Sequence, residues 1–256
     1  MAEPVRLPNL PYDADAGLAT RARIGLVTLS GDVTIEADLT HVFGHVPGIA
    51  FYGSRIEMDS DVTPETLTAM EARIAGSTAL MVPDEPFQAV GFGCTSASAL
   101  LGDDRVAAQV HAQKPEAKVT NPVAAMTAAM QALGARRISV LTPYTAKVNA
   151  GIEVAMAKAG FEIAAFGSFD EPHDPTVGRM TPASIAAASR QVAAAAPTEA
   201  LFISCTNLRA CALVPELEAE LGIPVTTSNH AIAWHLMRLS GIEDRLPFLG
   251  RLYENP

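Results

Sequence analysis

The sequence predicts an α/β protein of two similar lobes, each built on a parallel sheet, with the active site in the cleft between them. Short apolar runs alternate with alanine-rich helical stretches along the 256 residues, the pattern of parallel strands joined by helices. The strand candidates number about eight, enough for two sheets of about four strands each. Two strand ends, Gly93-Cys94-Thr95-Ser96 and Ser204-Cys205-Thr206-Asn207, match each other at positions 94 and 205, nearly half the chain apart.

Ile24–Leu29 (IGLVTL) reads as the first strand, followed by a helix from about Thr34 with Thr34 as its cap. Ile49–Tyr52 is a second strand. Thr63-Pro-Glu-Thr opens a helix running to about Leu80: Thr caps, Pro fits the first turn, and the acid suits the dipole. Ala89–Gly93 (AVGFG) is a short buried strand, Ala107–Ala112 belongs to a helix, and Val119-Thr120 is a brief strand ending at Asn121-Pro122.

The pattern then recurs. A helix from about Pro122 to Leu133 leads into the strand Arg137–Leu141, and Ala146–Ala159 is helical with Gly160 at the stop position. Phe161–Phe166 is a strand, Asp170–Pro175 a loop rich in Asp and Pro, and Thr181-Pro182 the start of a helix. Ala200–Ile203 is a strand, Leu208–Leu221 a helix closed by Gly222, Ile223–Thr226 the last strand, and a final helix begins near Asn229.

Hydrophobic residues make up 49% and charged residues 18% of the chain, which excludes wholesale disorder. A net charge of −10 lacks the basic footprint of a nucleic-acid binder, and 5% aromatics offer little for stacking single strands. Mean hydropathy is +0.21, yet no apolar run reaches the roughly 18 residues that cross a bilayer. Met1–Gly17 carries acids and prolines without an apolar stretch, so no secretory signal is expected there. Cys94, Cys205 and Cys211 are then thiols of a reducing, cytoplasmic compartment.

Ligands of open α/β sheets bind beyond the carboxyl ends of the strands, where both matched cysteines fall. A Cys at a helix N-terminus meets positive partial charge that favours its thiolate. The free N–H groups that follow can hold a carboxylate or oxyanion, and Thr95, Ser96, Thr206 and Asn207 add side-chain donors. The alternative is that both cysteines are small buried hydrophobes. Cys211, six residues or about 600° round the expected helix from Cys205, does not pair with it on a metal and reads as structural.

Asp32 follows the first strand, where a ligand would reach, or else caps the next helix. Tyr144, in Thr142-Pro143-Tyr144-Thr145, either aims its hydroxyl into the cleft or packs at a lobe edge. Arg55 is a carboxylate anchor or an ordinary ion pair. His41 and His45 have i, i+4 spacing but no evident acidic partner, and read as surface histidines. His230 and His235 lack that spacing. Gly91-Phe92-Gly93 lacks the third glycine of a dinucleotide loop. No metal and no nicotinamide cofactor is expected.

Arg23-Ile-Gly-Leu, Gly93-Cys-Thr-Ser, Ile138-Ser-Val-Leu-Thr-Pro-Tyr and Ser204-Cys-Thr-Asn-Leu-Arg resemble the aspartate/glutamate racemase superfamily. The resemblance runs from about Arg23 to Leu239 and is to the branch holding maleate cis–trans isomerase and arylmalonate decarboxylase. Within it, Leu80-Met-Val-Pro-Asp-Glu-Pro, Cys94-Thr-Ser-Ala-Ser and Thr226-Thr-Ser-Asn-His look most like the ectoine-utilisation A proteins.

The resemblance implies two pseudo-symmetric Rossmann-like lobes around a cofactor-free site, with residues 1–118 and the returning segment 226–256 in one lobe and 119–225 in the other. It also implies that Cys94 and Cys205 are the catalytic pair. In racemases of this kind one thiolate removes the α-proton and the other thiol reprotonates the opposite face. In maleate isomerase-like members a Cys adds to the double bond and leaves after rotation. Thr95, Ser96, Thr206 and Asn207 become carboxylate holders and Tyr144 a substrate donor. A homodimer or higher homo-oligomer is implied as well.

Two departures bear on the substrate. Arylmalonate decarboxylases keep only the second cysteine, so Cys94 speaks for racemisation or isomerisation. Maleate isomerases carry Asn where this chain has Asp32. An aspartate repels a dicarboxylate and attracts an ammonium or amidinium group. The expected substrate, within the wider class of small carboxylates and amino acids, is therefore an amino acid or an ectoine-derived compound rather than maleate.

Overall fold

The computed structural model describes residues 3–15 and 17–255. In chain order its elements are β1 (Ala22–Leu29), α1 (Ile35–Phe43), β2 (Ile49–Ile56), α2 (Pro64–Ala69), α3 (Glu71–Ala79), β3 (Ala89–Phe92), α4 (Thr95–Leu101), α5 (Asp103–His111), β4 (Lys118–Thr120) and α6 (Pro122–Ala132). They continue with β5 (Arg137–Thr142), α7 (Ala146–Lys158), β6 (Glu162–Ser168), α8 (Asp174–Val177), α9 (Pro182–Ala194), β7 (Ala200–Ile203), α10 (Val214–Leu221), β8 (Val225–Thr227) and α11 (Ser228–Leu239).

The strands form two parallel four-stranded sheets, in the orders β2-β1-β3-β4 and β6-β5-β7-β8. The orders are the same once β5–β8 are laid over β1–β4. The equivalent of β3 is β7, and each is a run of four fully buried residues. Cys94 and Cys205 each lie two residues beyond one of these strands. The duplication visible in the sequence is thus a duplication of sheet topology.

The apolar residues explain the layering. Ile24 and Leu26 of β1 share a core with Ile35, Leu39, Val42 and the inner face of α11. Val27 and Leu29, on the alternate face, belong to the core that continues through β3 into the second sheet, as the two-residue period of a strand requires. The chain passes from the second sheet to the first at the β8–α11 junction. There Thr227 caps α11 by accepting from the His230 N–H, and a Cβ on Gly91 would stand 3.2 Å from Ile232 Cδ1. Absence of a side chain at Gly91 lets α11 lie close on β3.

Two expected helices differ in the structure. The Thr63–Leu80 stretch is two helices, divided at Met70. Thr63 does cap the first, and with Thr66 it forms a reciprocal capping pair. The break turns α2 over the strand ends, where Leu67 and Met70 line the cleft, while α3 stays against the first sheet. The helix expected from Leu208 begins later: a 3-10 turn occupies Cys211–Leu213, and α10 starts at Val214. Gly222 then ends α10 at φ +73°, as its stop position requires. No helix among the described residues is long and apolar enough to cross a membrane.

Candidate active site between the two cysteine loops

Cys94 occupies the N-cap of α4, in extended conformation. Gly93 makes the approach possible, since a Cβ there would lie 2.8 Å from Ile35 Cδ1. The Cys94 carbonyl accepts from the Ser98 hydroxyl at 2.6 Å, and its thiol meets the Ser96 hydroxyl at 3.6 Å. This half of the site has the expected form, a thiol at the start of a helix.

Cys205 departs from expectation. It has φ +116°, and an irregular turn follows it instead of a helix. The cause is Asn207, whose groups are engaged across the cleft. Its carbonyl accepts from Thr34 Oγ1 at 3.0 Å, its Oδ1 from the Val33 N–H at 3.0 Å, and its Nδ2 donates to Asp174 Oδ2 at 2.8 Å. A carbonyl held this way does not serve the first turn of a helix. The Cys205 N–H donates to Ser228 Oγ at 3.0 Å, and the Asn207 N–H to the Cys205 thiol at 3.4 Å. Cys211, expected on the same helix, opens the 3-10 turn and lines a separate cavity with Asp38 and His41.

The two thiols share one cavity, together with Asp32, Ser96, Tyr144 and Thr206. Thr206 Oγ1 donates to the Gly93 carbonyl at 3.4 Å, so one cysteine loop touches the other. Thr95 and Asn207 are behind this wall. The Thr95 hydroxyl is paired with Ser228 Oγ at 2.9 Å, and Asn207 is spent on the contacts above. Neither side chain lines the cavity; both are engaged in placing other groups.

Asp32 caps the next helix and also lines the cavity. Its Oδ1 accepts from the N–H groups of Thr34 and Ile35 at 2.8 and 2.9 Å, which caps α1. Thr34, the expected cap, makes no capping bond and reaches to Asn207. Asp32 Oδ2 has no hydrogen-bond partner among the described residues, although Asp32 is only 1% exposed. Arg55 stands outside the cavity. It donates to the carbonyls of Leu29, Ser30 and Asp32 and pairs with Glu36, so it fastens the loop that carries Asp32.

Sequence reading missed Asp174, which begins α8 and is buried in the same cavity. The only signal was its place in a stretch of Asp and Pro, which reads as loop. It also missed the cover. The Asp174 N–H donates to the Ser60 carbonyl at 3.0 Å and the Val62 N–H to the Pro172 carbonyl at 3.2 Å. These bonds draw the segment before α2 onto the segment before α8. Met58, Asp59, Asp61, Val62, Leu67 and Met70 thereby close one side. The enclosed volume is about 20 Å³, against roughly 10–15 Å³ for one water. As it stands the cavity has room for about one water. A larger groove of about 500 Å³ lies where α4, α6 and α7 meet, lined by small and polar side chains with five alanines among them, and holding neither matched cysteine.

Burial dominates the ionisation of the site. It pushes the Cys94 thiol up to about 11, against hydrogen bonds from the Ala97 N–H and Ser96 that lower it, and with Asp174 and Asp32 adding to the rise. Burial and then Asp174 push Cys205 well above the ordinary range, while Tyr144 and the Asn207 N–H pull it back. The expected preference for thiolate is therefore absent from the closed cavity: one short helix and a few donors do not outweigh desolvation. Asp174 is raised to about 6 by burial and by Asp32. Asp32 is raised by burial, against its two backbone N–H groups, the nearby Thr206 hydroxyl and the charge of Arg55.

His41 and His45 stack edge to face, the second also against Phe248. No group of three metal-ligating side chains occurs among the described residues.

The family model described as arylmalonate decarboxylase matches residues 25–253. The chain is 28% identical over 240 residues to the maleate isomerase of Nocardia farcinica, covering 90% of this chain and 94% of that protein. It is 25% identical over 240 residues to the arylmalonate decarboxylase of Bordetella bronchiseptica, covering 92% and 98%. Among solved structures, a cysteine-to-serine variant of the Nocardia farcinica maleate cis–trans isomerase, with a covalently bound succinylcysteine intermediate, superposes with a TM-score of 0.83 at 27% identity, covering 91% of this chain and 98% of that one. With the two-sheet architecture shared and the match spanning nearly the whole chain, the protein belongs to the arylmalonate decarboxylase family, whose relatives here include maleate isomerases.

Proposed function

We propose that this protein is a cofactor-independent isomerase or racemase that uses Cys94 and Cys205 on a small carboxylate or amino acid. The carrying observation is that two thiols from equivalent strand ends line one cavity. One thiolate takes the proton from the carbon next to the carboxylate, and the other thiol delivers its proton to the opposite face. The two sulfurs end the turnover with their protonation exchanged. Ser96, Thr206 and the N–H groups of the Cys94 and Cys205 loops hold the carboxylate and the enolate-like charge, with Tyr144 as a further donor. Fixed donors of this kind are what an unactivated α-proton needs.

A second reading is cis–trans isomerisation of a maleate-like acid, and the likeness to a relative with a succinylcysteine intermediate favours it. One thiolate adds to the double bond, the resulting single bond rotates, and the thiolate leaves. Decarboxylation ranks behind both because the chain carries Cys94 as well as Cys205. The reading includes lobes at 1–118 with 226–256 and at 119–225, and a cytoplasmic homodimer, all supported by resemblance; the sheets put the crossings slightly later, since β4 stays in the first sheet through Thr120 and β8 in the second through Thr227. Amino acids from ectoine breakdown are the finer substrate candidates.

Proton NMR in D2O tests the reading. Aspartate, hydroxyaspartate, diaminobutyrate derivatives, maleate and a methyl-phenylmalonate are incubated with the protein. Loss of an α-proton signal with the carbon skeleton intact is the expected result. Fumarate from maleate would select the second reading, and carbon dioxide release would select decarboxylation.

A further inference from the structure

Four carboxylates line the cavity that holds the two thiols: Asp32 and Asp174 in its wall, Asp59 and Asp61 on the exposed rim. No lysine, arginine or histidine lines it. Asp174 lends one oxygen to Asn207 Nδ2, and Asp32, nearly fully buried, keeps Oδ2 without a hydrogen bond of normal length, with only the neutral Thr206 hydroxyl close to its carboxylate. An orphaned carboxylate oxygen inside a protein is costly unless something charged meets it. Arg55 donates to the backbone carbonyls of that loop and pairs with Glu36, so its charge acts on Asp32 without a direct contact to the carboxylate.

Resting on the reading of a two-cysteine isomerase or racemase, we infer that the substrate carries a protonated nitrogen, an ammonium or amidinium, seated between Asp32 and Asp174, and that these two aspartates are its specificity determinants. Asp59 and Asp61 lie on its way in, where negative potential steers a cation. A dicarboxylate without nitrogen meets repulsion from the wall at the end opposite the donors. A metal ion is the other cation that carboxylates attract, but no three ligating groups converge among the described residues. The seated nitrogen also serves the chemistry. Asp32 and Asp174 are among the charges that hold both thiols protonated. A cation between them offsets that effect and eases thiolate formation only once substrate is bound.

Calorimetric titration with aspartate and succinate, which differ by the ammonium group, tests the inference, with diaminobutyrate and maleate as a second pair. The wild-type protein at neutral pH is expected to bind the nitrogen-bearing member at least about tenfold more tightly. Asp174→Asn and Asp32→Asn, the latter keeping an oxygen to cap α1, are each expected to remove most of that preference. Equal or tighter binding of the dicarboxylates, no binding of either amino acid, or an unchanged preference in both variants overturns it. The same titration of Cys94→Ser keeps the two ideas apart. A charge preference that persists without any turnover by the wild type leaves the inference standing and removes the isomerase reading. Turnover with a preference for maleate does the reverse.

Discussion

Asn207 Nδ2 donates to Asp174 Oδ2 at 2.8 Å, and this bond ties the second cysteine loop to the missed acid of the site. Through its Oδ1 and carbonyl the same residue holds the loop after β1. One side chain therefore sets the separation of Cys205, Asp32 and Asp174. Asn207→Ala leaves the Asp174 carboxylate and the Val33 N–H without their partner. A loss of about 1–3 kcal/mol in unfolding free energy is expected, read by urea denaturation. A change within a few tenths of a kcal/mol would mean the bond is not formed in solution.

Ser228 is the corresponding fastening on the other side. Its hydroxyl accepts from the Cys205 N–H and pairs with the Thr95 hydroxyl, so it connects both cysteine loops at the point where the chain crosses between sheets. Ser228→Ala is expected to lower kcat by about ten- to a hundredfold through misplacement of the thiols, with KM changed less. Steady-state kinetics on the substrate found by NMR reads the split.

The signs of the acid shifts give a stability profile. Asp174 and Asp38 are both raised from 3.8 to about 6, by burial foremost. The folded protein therefore binds more protons than the unfolded chain between those values, and stability falls as pH rises from about 4 to 6. Around Asp174 the facing groups are Asp32, which raises it, and Asn207 and His173, which lower it. Asp174→Asn is expected to flatten part of the fall. Denaturation midpoints at half-unit steps of pH would show a rise across this window instead if the carboxylates were stabilised as anions.

Thiol chemistry reads the closed cavity directly. With Cys94 held up to about 11 and both matched cysteines 4% exposed, alkylation by iodoacetamide at pH 7.5 is expected to be at least about a hundredfold slower than that of free cysteine. Peptide mass spectrometry assigns each site. Fast labelling of Cys94 or Cys205 would mean that the cover formed by α2 and its preceding segment stands open in solution.

The fold was legible because its signals are local and repeated. The apolar runs of β1, β3, β5 and β7 stand out between helical stretches, and Thr63 and Gly222 mark the start of α2 and the end of α10. The cysteine pair was legible for the same reason, as a repeated unit. The conformation after Cys205 was not, because Asn207 is held by Val33, Thr34 and Asp174, none of them near it in sequence. Asp174 and the cover from Met58 to Met70 were hidden likewise: contacts between distant segments leave no period to read. The thiol ionisation was misjudged because helix-end charge shows in a sequence, whereas burial depth does not.

The most direct test of the central claim, that Cys94 and Cys205 work as a pair on one substrate, is isotope exchange with single variants. Each enantiomer of the substrate is followed in D2O with wild type, Cys94→Ser and Cys205→Ser. The account predicts that the wild type exchanges and interconverts both enantiomers, and that either variant loses interconversion by at least about a hundredfold. Interconversion within a few-fold of wild type in either variant would contradict it.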